Sequence, residues 1–391
     1  MTTRWAVVTG EYPPDKGGVA DYAAQVARGL VAAGDLVTVY APPNKSRVEA
    51  VDAVTVRSLP DHFGPRGLRT LGRELTANRP DRILVQYAPH SFGLRGMNVP
   101  LAVWIATRAG RIAPVWTMFH EVAYPFRWRP KLMLLHSAHR LMARLTAGAA
   151  DRVFVSIPAW ERILRKYCPR VRPAEWLPIP CTVDDVADAT SIAAARARHL
   201  VGTRLVGHFG TFGVGIADLL EATCAIVLEV DPNVSVLLLG RGSTEFRERF
   251  AANHPMLASR VSAAGELTAN SVAAHLRACD LLLQPYSDGL STRRTTVMAG
   301  LANECVVVSN LGVLSEPIWA TADCVRLARL PEPVALAAAV RAELDRPPSE
   351  RTEMGSRARL LYQERFSLGA TLAALRKSSP VAGVSGPLVA S

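Results

Sequence analysis

Short apolar runs alternate with helically spaced apolar positions over most of the chain. Residues 5–9 (Trp-Ala-Val-Val-Thr) read as a buried strand. Tyr22, Val26, Leu30 and Val31 then recur at helical spacing, and Gly34 ends the helix. Residues 36–41, 82–86, 114–119 and 152–156 read as further strands, with a helical stretch around 71–77. A proline-rich stretch, 173–180, breaks the pattern, and a polar, alanine-rich segment runs on to about residue 200. The pattern restarts with a strand over 204–209, a loop over 210–215 and a helix from Ile216. More strands are read over 234–239 and from Val261, Leu281 and Val306. This alternation predicts parallel sheets, and so an α/β fold of two Rossmann-like domains facing across a cleft. The first domain spans 1–180, a linker 181–200 and the second domain 201–350, while helices over 351–377 return to the first domain. Residues 378–391 are small, include Pro and Gly, and are expected to be disordered.

Composition narrows the class. A chain of 391 residues is too long for one ordinary core. No run of about 18 apolar residues occurs, and the first residues lack a charged-then-apolar leader, so a cytoplasmic protein is expected. Six scattered cysteines with no CxxC pair argue against a zinc site or a disulfide framework. The net charge of +11 favours an anionic partner: nucleic acid, anionic lipid or a phosphorylated substrate. No interleaving of aromatic and basic residues supports nucleic acid. Residues 124–152 intersperse Arg127, Arg129, Lys131, Arg140 and Arg144 with apolar side chains. That pattern fits a helix on an anionic membrane surface, or one packed on the sheet with a solvated basic face.

The chemistry gathers in loops that follow strands, where doubly wound sheets bind ligands. These loops hold Gly17-Gly18, His120-Glu121, residues 210–213, Arg241 and residues 288–294. The stretch 284–303 (QPYSDGLSTRRTTVMAGLAN) carries Asp288, Gly289, Ser291, Thr292, Arg293 and Arg294 between a strand and a helix. Backbone N–H groups and a helix N-terminus at such a junction suit a phosphate. GxSxG, HExxH, the EF-hand loop and the GxxxxGK[ST] phosphate loop are all absent, and Gly10 does not open a GxGxxG. No Asp-x-Asp follows a strand, so neither a metal nor an obligatory cofactor is expected.

Residues 10–42 (GEYPPDKGGVADYAAQVARGLVAAGDLVTVYAP) resemble the N-terminal signature of the retaining glycosyltransferases of family four, which have the GT-B fold. ADRVFVS at 150–156, GIADLLEA at 215–222, LLLGRGS at 237–243, CDLLLQPYSDG at 279–289 and CVVVSNLGVLSEP at 305–317 resemble later segments of that family. The resemblance spans roughly residues 4–366. It implies transfer of a sugar, with retention, from a nucleotide-diphosphate sugar to a hydroxyl acceptor: a glycan, a lipid-linked acceptor or a small molecule. The donor would lie mainly on the second domain, near Gly210, Thr211, Phe212, Arg241, Glu266, Leu267, Gly289, Leu290, Ser291 and Thr292. Gly17 and Gly18 would approach its diphosphate, and His120 its sugar. Acceptor-side candidates are Glu11, Tyr12, Asp21 and Glu121. Two departures stand out. Asp288 matches the first of the family's two acidic residues, but Thr296 stands at the second. Thr211 and Val214 stand where the family carries the Arg and Lys that hold the diphosphate. Arg293 and Arg294, with Arg241, are the candidates to replace that charge. The rival readings are a GT-B nucleotide-sugar epimerase or hydrolase, and a non-catalytic nucleotide-sugar-binding protein. Contact with the inner face of the membrane would run through 124–152.

Overall fold

The computed structural model describes residues 2–44, 50–51, 53–126, 128–183, 187–213 and 215–377. The expected disordered tail, 378–391, lies outside the described residues, as do Arg127 and Val214.

Two sheets form. The first holds β1 (Arg4–Thr9), β2 (Leu36–Ala41), β3 (Ala50–Val51), β4 (Val54–Ser58), β5 (Arg82–Tyr87), β6 (Val115–Phe119), β7 (Arg152–Val155) and β8 (Ala174–Trp176), in the order β3-β4-β2-β1-β5-β6-β7-β8. All of its neighbours are parallel except β3 and β4. The second holds β9 (Arg204–Phe209), β10 (Val234–Leu239), β11 (Val261–Gly265), β12 (Leu281–Leu283), β13 (Val307–Asn310) and β14 (Val325–Ala328), in the all-parallel order β11-β10-β9-β12-β13-β14. Helices cover both faces, so the strands are buried on both sides and read as unbroken apolar runs. All six residues of β10 are buried.

Strand order dictates where a crevice can open. In the second sheet the chain runs outward from β9 to β10 and then returns to the other side of β9 with β12. The loops after β9 and β12 therefore diverge, leaving a gap at their C-terminal ends. In the first sheet the same reversal falls between β1 and β5.

Three parts of the chain differ from the periodicity. β8 forms within the proline-rich stretch, where edge position tolerates Pro. The segment expected to be a linker contains a helix, Ala189–His199, whose N-terminus is capped by the Asp188 carboxylate on Ser191 N at 2.9 Å. Ala195 on that helix joins the apolar core of the second sheet. The C-terminal helices also divide. Met354 and Ala358 of Pro348–Leu361 pack in the second domain's core. Leu368–Arg376 crosses to the first domain: Arg376 pairs with Asp35 at 3.2 Å and Arg82 donates to Leu375 O at 3.1 Å.

Candidate functional site

The junction after β12 is built by buried polar bonds. Asn310 of β13 accepts from Tyr286 N at 3.0 Å and donates to Tyr286 O at 2.7 Å. Gln284 donates to Phe209 O at 2.9 Å and accepts from the Tyr286 hydroxyl at 3.0 Å. Gly289 has φ +87°, and a Cβ there would lie 2.3 Å from Gly312 N, so both conformation and space demand glycine. The chain then turns back into the helix Thr295–Ala302.

Asp288 projects from this turn and is bound by both arginines, Arg293 on one carboxylate oxygen and Arg294 on the other. Arg294 also lies 4.3 Å over the Tyr286 ring, and Arg293 lies 5.7 Å over Trp160 of the first domain. The trio stays reachable, with side chains 23–26% exposed. Both arginine Nε atoms are buried without a partner. Burial, then the like charge of Arg294, pull the Arg293 pKa below its usual value, while Asp288 and the more distant Glu121 oppose this. The guanidinium still stays protonated at any ordinary pH.

The neighbouring candidates divide. Leu290 is wholly buried. The Thr292 N–H and hydroxyl both donate to Glu316, at 2.9 and 2.7 Å. Trp319 donates to the same carboxylate at 2.6 Å. These two side chains serve the fold, because Thr292 also meets Ser156 O at 3.1 Å and Trp176 at 3.2 Å, pinning this loop to the first domain. Ser291 is buried with an unpartnered hydroxyl. Thr296, by contrast, faces the β9 loop: a Cβ on Gly210 would sit 3.6 Å from its methyl. Its hydroxyl meets that of Tyr286 at 3.1 Å. Gly240, at φ +104°, packs so tightly on this loop that a Cβ would meet Gly210 O at 2.3 Å. Phe212 is spent on aromatic contacts with His208 and Phe246, with ring centres 5.2 and 4.9 Å away. Thr211 is exposed, and no charged side chain stands on residues 210–213. Arg241 is exposed beyond β10. Glu266 reaches Lys16 of the other domain at 3.6 Å, while Leu267 packs against the second core.

The first domain supplies the opposite wall. Gly17 is extended, at φ 178°, and a Cβ would fall 2.4 Å from the Glu11 carboxylate. The backbone is not left-handed here, and a side chain at this position would displace only the flexible end of Glu11. A Cβ on Gly18 would meet open space. The Glu11 carboxyl is raised by burial first, then by Asp15, Glu121 and Asp21, which shows these carboxylates sharing one region. Burial also raises Asp21. Tyr12 is 5% exposed and belongs to the apolar core, so its aromatic body serves packing. His120 ends β6 with its Nε2 2.8 Å from the Gln86 amide oxygen and its ring edge-on to Tyr22 at 4.8 Å. Burial pushes it down to about 3, so it is neutral at pH 7. Trp160 and Ser156 both donate to the His120 carbonyl, at 2.8 and 3.2 Å.

The structure thus brings Glu11, His120 and Glu121 to one wall and Asp288, Arg293, Arg294 and Thr296 to the other. Trp160, Tyr286, Gln86 and Glu316 were missed by sequence reasoning. Only an unexplained Tyr286 two residues before Asp288 could have signalled any of them. Among the described residues, no group of three or more His, Cys, Asp or Glu side chains is arranged to hold a metal.

Comparison with known proteins bears on the fold. Residues 17–182 match the glycosyl transferase 4-like domain. No curated protein sequence matches the chain. Among solved structures it is similar to WaaG, a glycosyltransferase involved in lipopolysaccharide biosynthesis, at 16% identity and TM-score 0.67 over 95% of this chain and 98% of that one. HepE of Anabaena, in complex with UDP and glucose, matches at 14% identity and TM-score 0.68, with coverage of 95% and 98%. Sucrose-phosphate synthase of Thermosynechococcus elongatus matches at 17% and 0.69, with coverage of 95% and 97%. At these identities the likeness establishes the fold, GT-B.

Proposed function

We propose that this GT-B transferase, with its glycosyl transferase 4-like domain over residues 17–182, moves a sugar with retention from a nucleotide-diphosphate sugar to a hydroxyl acceptor. The observation that carries the reading is the Arg293–Arg294 pair at the gap between β9 and β12, within the electrostatic reach of Glu121. A departing diphosphate gathers negative charge, and preorganised guanidinium groups in a partly desolvated cleft stabilise it. The HepE structures with UDP and with UDP-glucose support this donor class. In this reading Gly210, Thr211, Arg241, Glu266 and Gly289 line the donor. Gly17 and Gly18 approach its diphosphate from the other domain. The acceptor enters beside Glu11, Asp21 and Glu121. Neutral His120 positions a sugar hydroxyl by hydrogen bonding, since a group that titrates near 3 is a poor proton carrier at pH 7. Guanidinium groups fill the charge role, so the reading requires no metal and no cofactor beyond the donor.

The reading is tested on Arg293→Ala and Arg294→Ala, with donor affinity from a thermal-shift panel of nucleotide sugars and with turnover. Each change is expected to lower turnover by about 10²–10³, the scale of one lost transition-state donor. Near-normal activity in both overturns it.

A membrane-borne acceptor has its own support. Trp128 is 85% and Leu134 62% exposed, and Phe126 and Leu141 are also exposed. They lie among Arg129, Lys131, Arg140 and Arg144, on or beside the helix Pro130–Ala149. Exposed apolar groups amid basic ones suit an anionic bilayer surface. No helix among the described residues is long and apolar enough to cross a membrane.

A further inference from the structure

The arginine pair offered to the donor already holds an anion. Asp288 presents one carboxylate oxygen to each guanidinium. Its main chain has no freedom to withdraw: Leu314 N donates to Asp288 O at 3.0 Å, and the turn packs so closely on Gly312 that a Cβ there would lie 2.5 Å from the Asp288 carbonyl carbon. Only the side chain can leave. One carboxylate against two guanidiniums leaves the trio with a net positive charge, and both Nε–H groups are buried with nothing to accept them. Buried unmet donors are costly, so the trio is an incomplete anion site. An anion with more oxygens than a carboxylate would satisfy it better.

We propose that Asp288 acts as an internal counter-ion that a diphosphate displaces, so that the free protein masks its own diphosphate site. This rests on the donor reading above. It makes Asp288 a competitor for Arg293 and Arg294. Displacement returns Asp288 to the arginines when the diphosphate leaves, which favours product release. The masking also explains how the chain tolerates two adjacent, half-buried arginines without ligand: paired charges are stable where lone ones are not.

The test is calorimetric titration of the full chain with inorganic pyrophosphate and with UDP. Three variants are compared with wild type: Asp288→Asn, Glu121→Gln and Arg294→Ala. Asp288→Asn is expected to bind pyrophosphate about tenfold more tightly, the scale of a recovered charge-assisted contact. Its KM for donor and its kcat should fall together, because product lingers. Glu121→Gln removes a nearby charge that pairs with neither arginine, and should gain much less. An equal gain in both variants is a general field effect and overturns the proposal. So does unchanged or weaker pyrophosphate binding by Asp288→Asn while wild type still binds UDP; in that case the donor reading survives. Pyrophosphate binding untouched by Arg294→Ala, with UDP binding absent from every form, overturns the donor reading and the proposal with it. Should Asp288→Asn fail to fold, a crystal structure of wild type with pyrophosphate decides: Asp288 released from at least one arginine supports the proposal, and both pairs intact overturn it.

Discussion

Replacing Gly289 with alanine tests how firmly the candidate site is held. The backbone there has φ +87°, a region that costs a residue with a Cβ roughly 1–2 kcal/mol. The added Cβ would lie 2.3 Å from Gly312 N and 2.5 Å from both Gly312 Cα and Ser315 Oγ. Two of these atoms are backbone, so relief requires the 288–289 turn and the 311–315 loop to separate, at about 1–3 kcal/mol for overpacking. Separation also strains the Leu314 N to Asp288 O bond, worth about 1 kcal/mol. The sum is about 3–6 kcal/mol. At roughly 2–4 °C per kcal/mol for a domain of this size, the melting point of the second domain should fall by about 6–24 °C. Scanning calorimetry reads this directly, and donor affinity should fall with it, because Asp288 and both arginines hang from the same turn. Gly18→Ala is the control: its Cβ enters open space, so stability should barely change. A Gly289→Ala protein melting within about 2 °C of wild type would refute the claim that this turn is sterically closed.

Two further outcomes follow from the structure. Burial pushes His120 down to about 3, and His208 to about 4, from an ordinary value of 6.5. The unfolded chain then binds more protons than the folded one between those values and 6.5, so stability falls as pH drops below about 6.5. His120→Gln should flatten that acid limb in chemical denaturation between pH 7 and 5, and an unchanged slope would count against the buried neutral imidazole. Trp128→Ser combined with Leu134→Ser should weaken sedimentation with anionic phosphatidylglycerol vesicles by about tenfold, with turnover on a soluble acceptor retained, since two exposed apolar anchors are worth several kcal/mol at most. Equal binding to anionic and neutral vesicles, or no loss in the variant, would remove that surface as a membrane contact.

Much of the architecture was legible in the chain because parallel strands buried on both faces cannot hide among polar residues. The strand bounds 36–41, 204–209 and 234–239 recur unchanged as β2, β9 and β10. The short edge strands escaped, since β4 and β8 lie at or near sheet edges and carry polar residues. The helix Ala189–His199 escaped for another reason: its buried positions, Ala195 and His199, make no apolar stripe. The candidate site was legible as a set of loops but not as roles. Tyr12, Leu290 and Thr292 were reasonable choices by position, yet burial assigns them to the fold.

What the sequence determined by itself was the class of fold and the loops that could meet. Apolar periodicity and residue identity are local properties, so they survive without coordinates. What only the tertiary structure decided was how charge is distributed inside the cleft. Asp288, Arg293 and Arg294 lie within seven positions of one another, but their mutual pairing depends on a turn pinned by Gly312. The seating of Arg293 over Trp160 depends on a residue more than a hundred positions away. Such contacts are set by packing between the two sheets, and no local spacing encodes them.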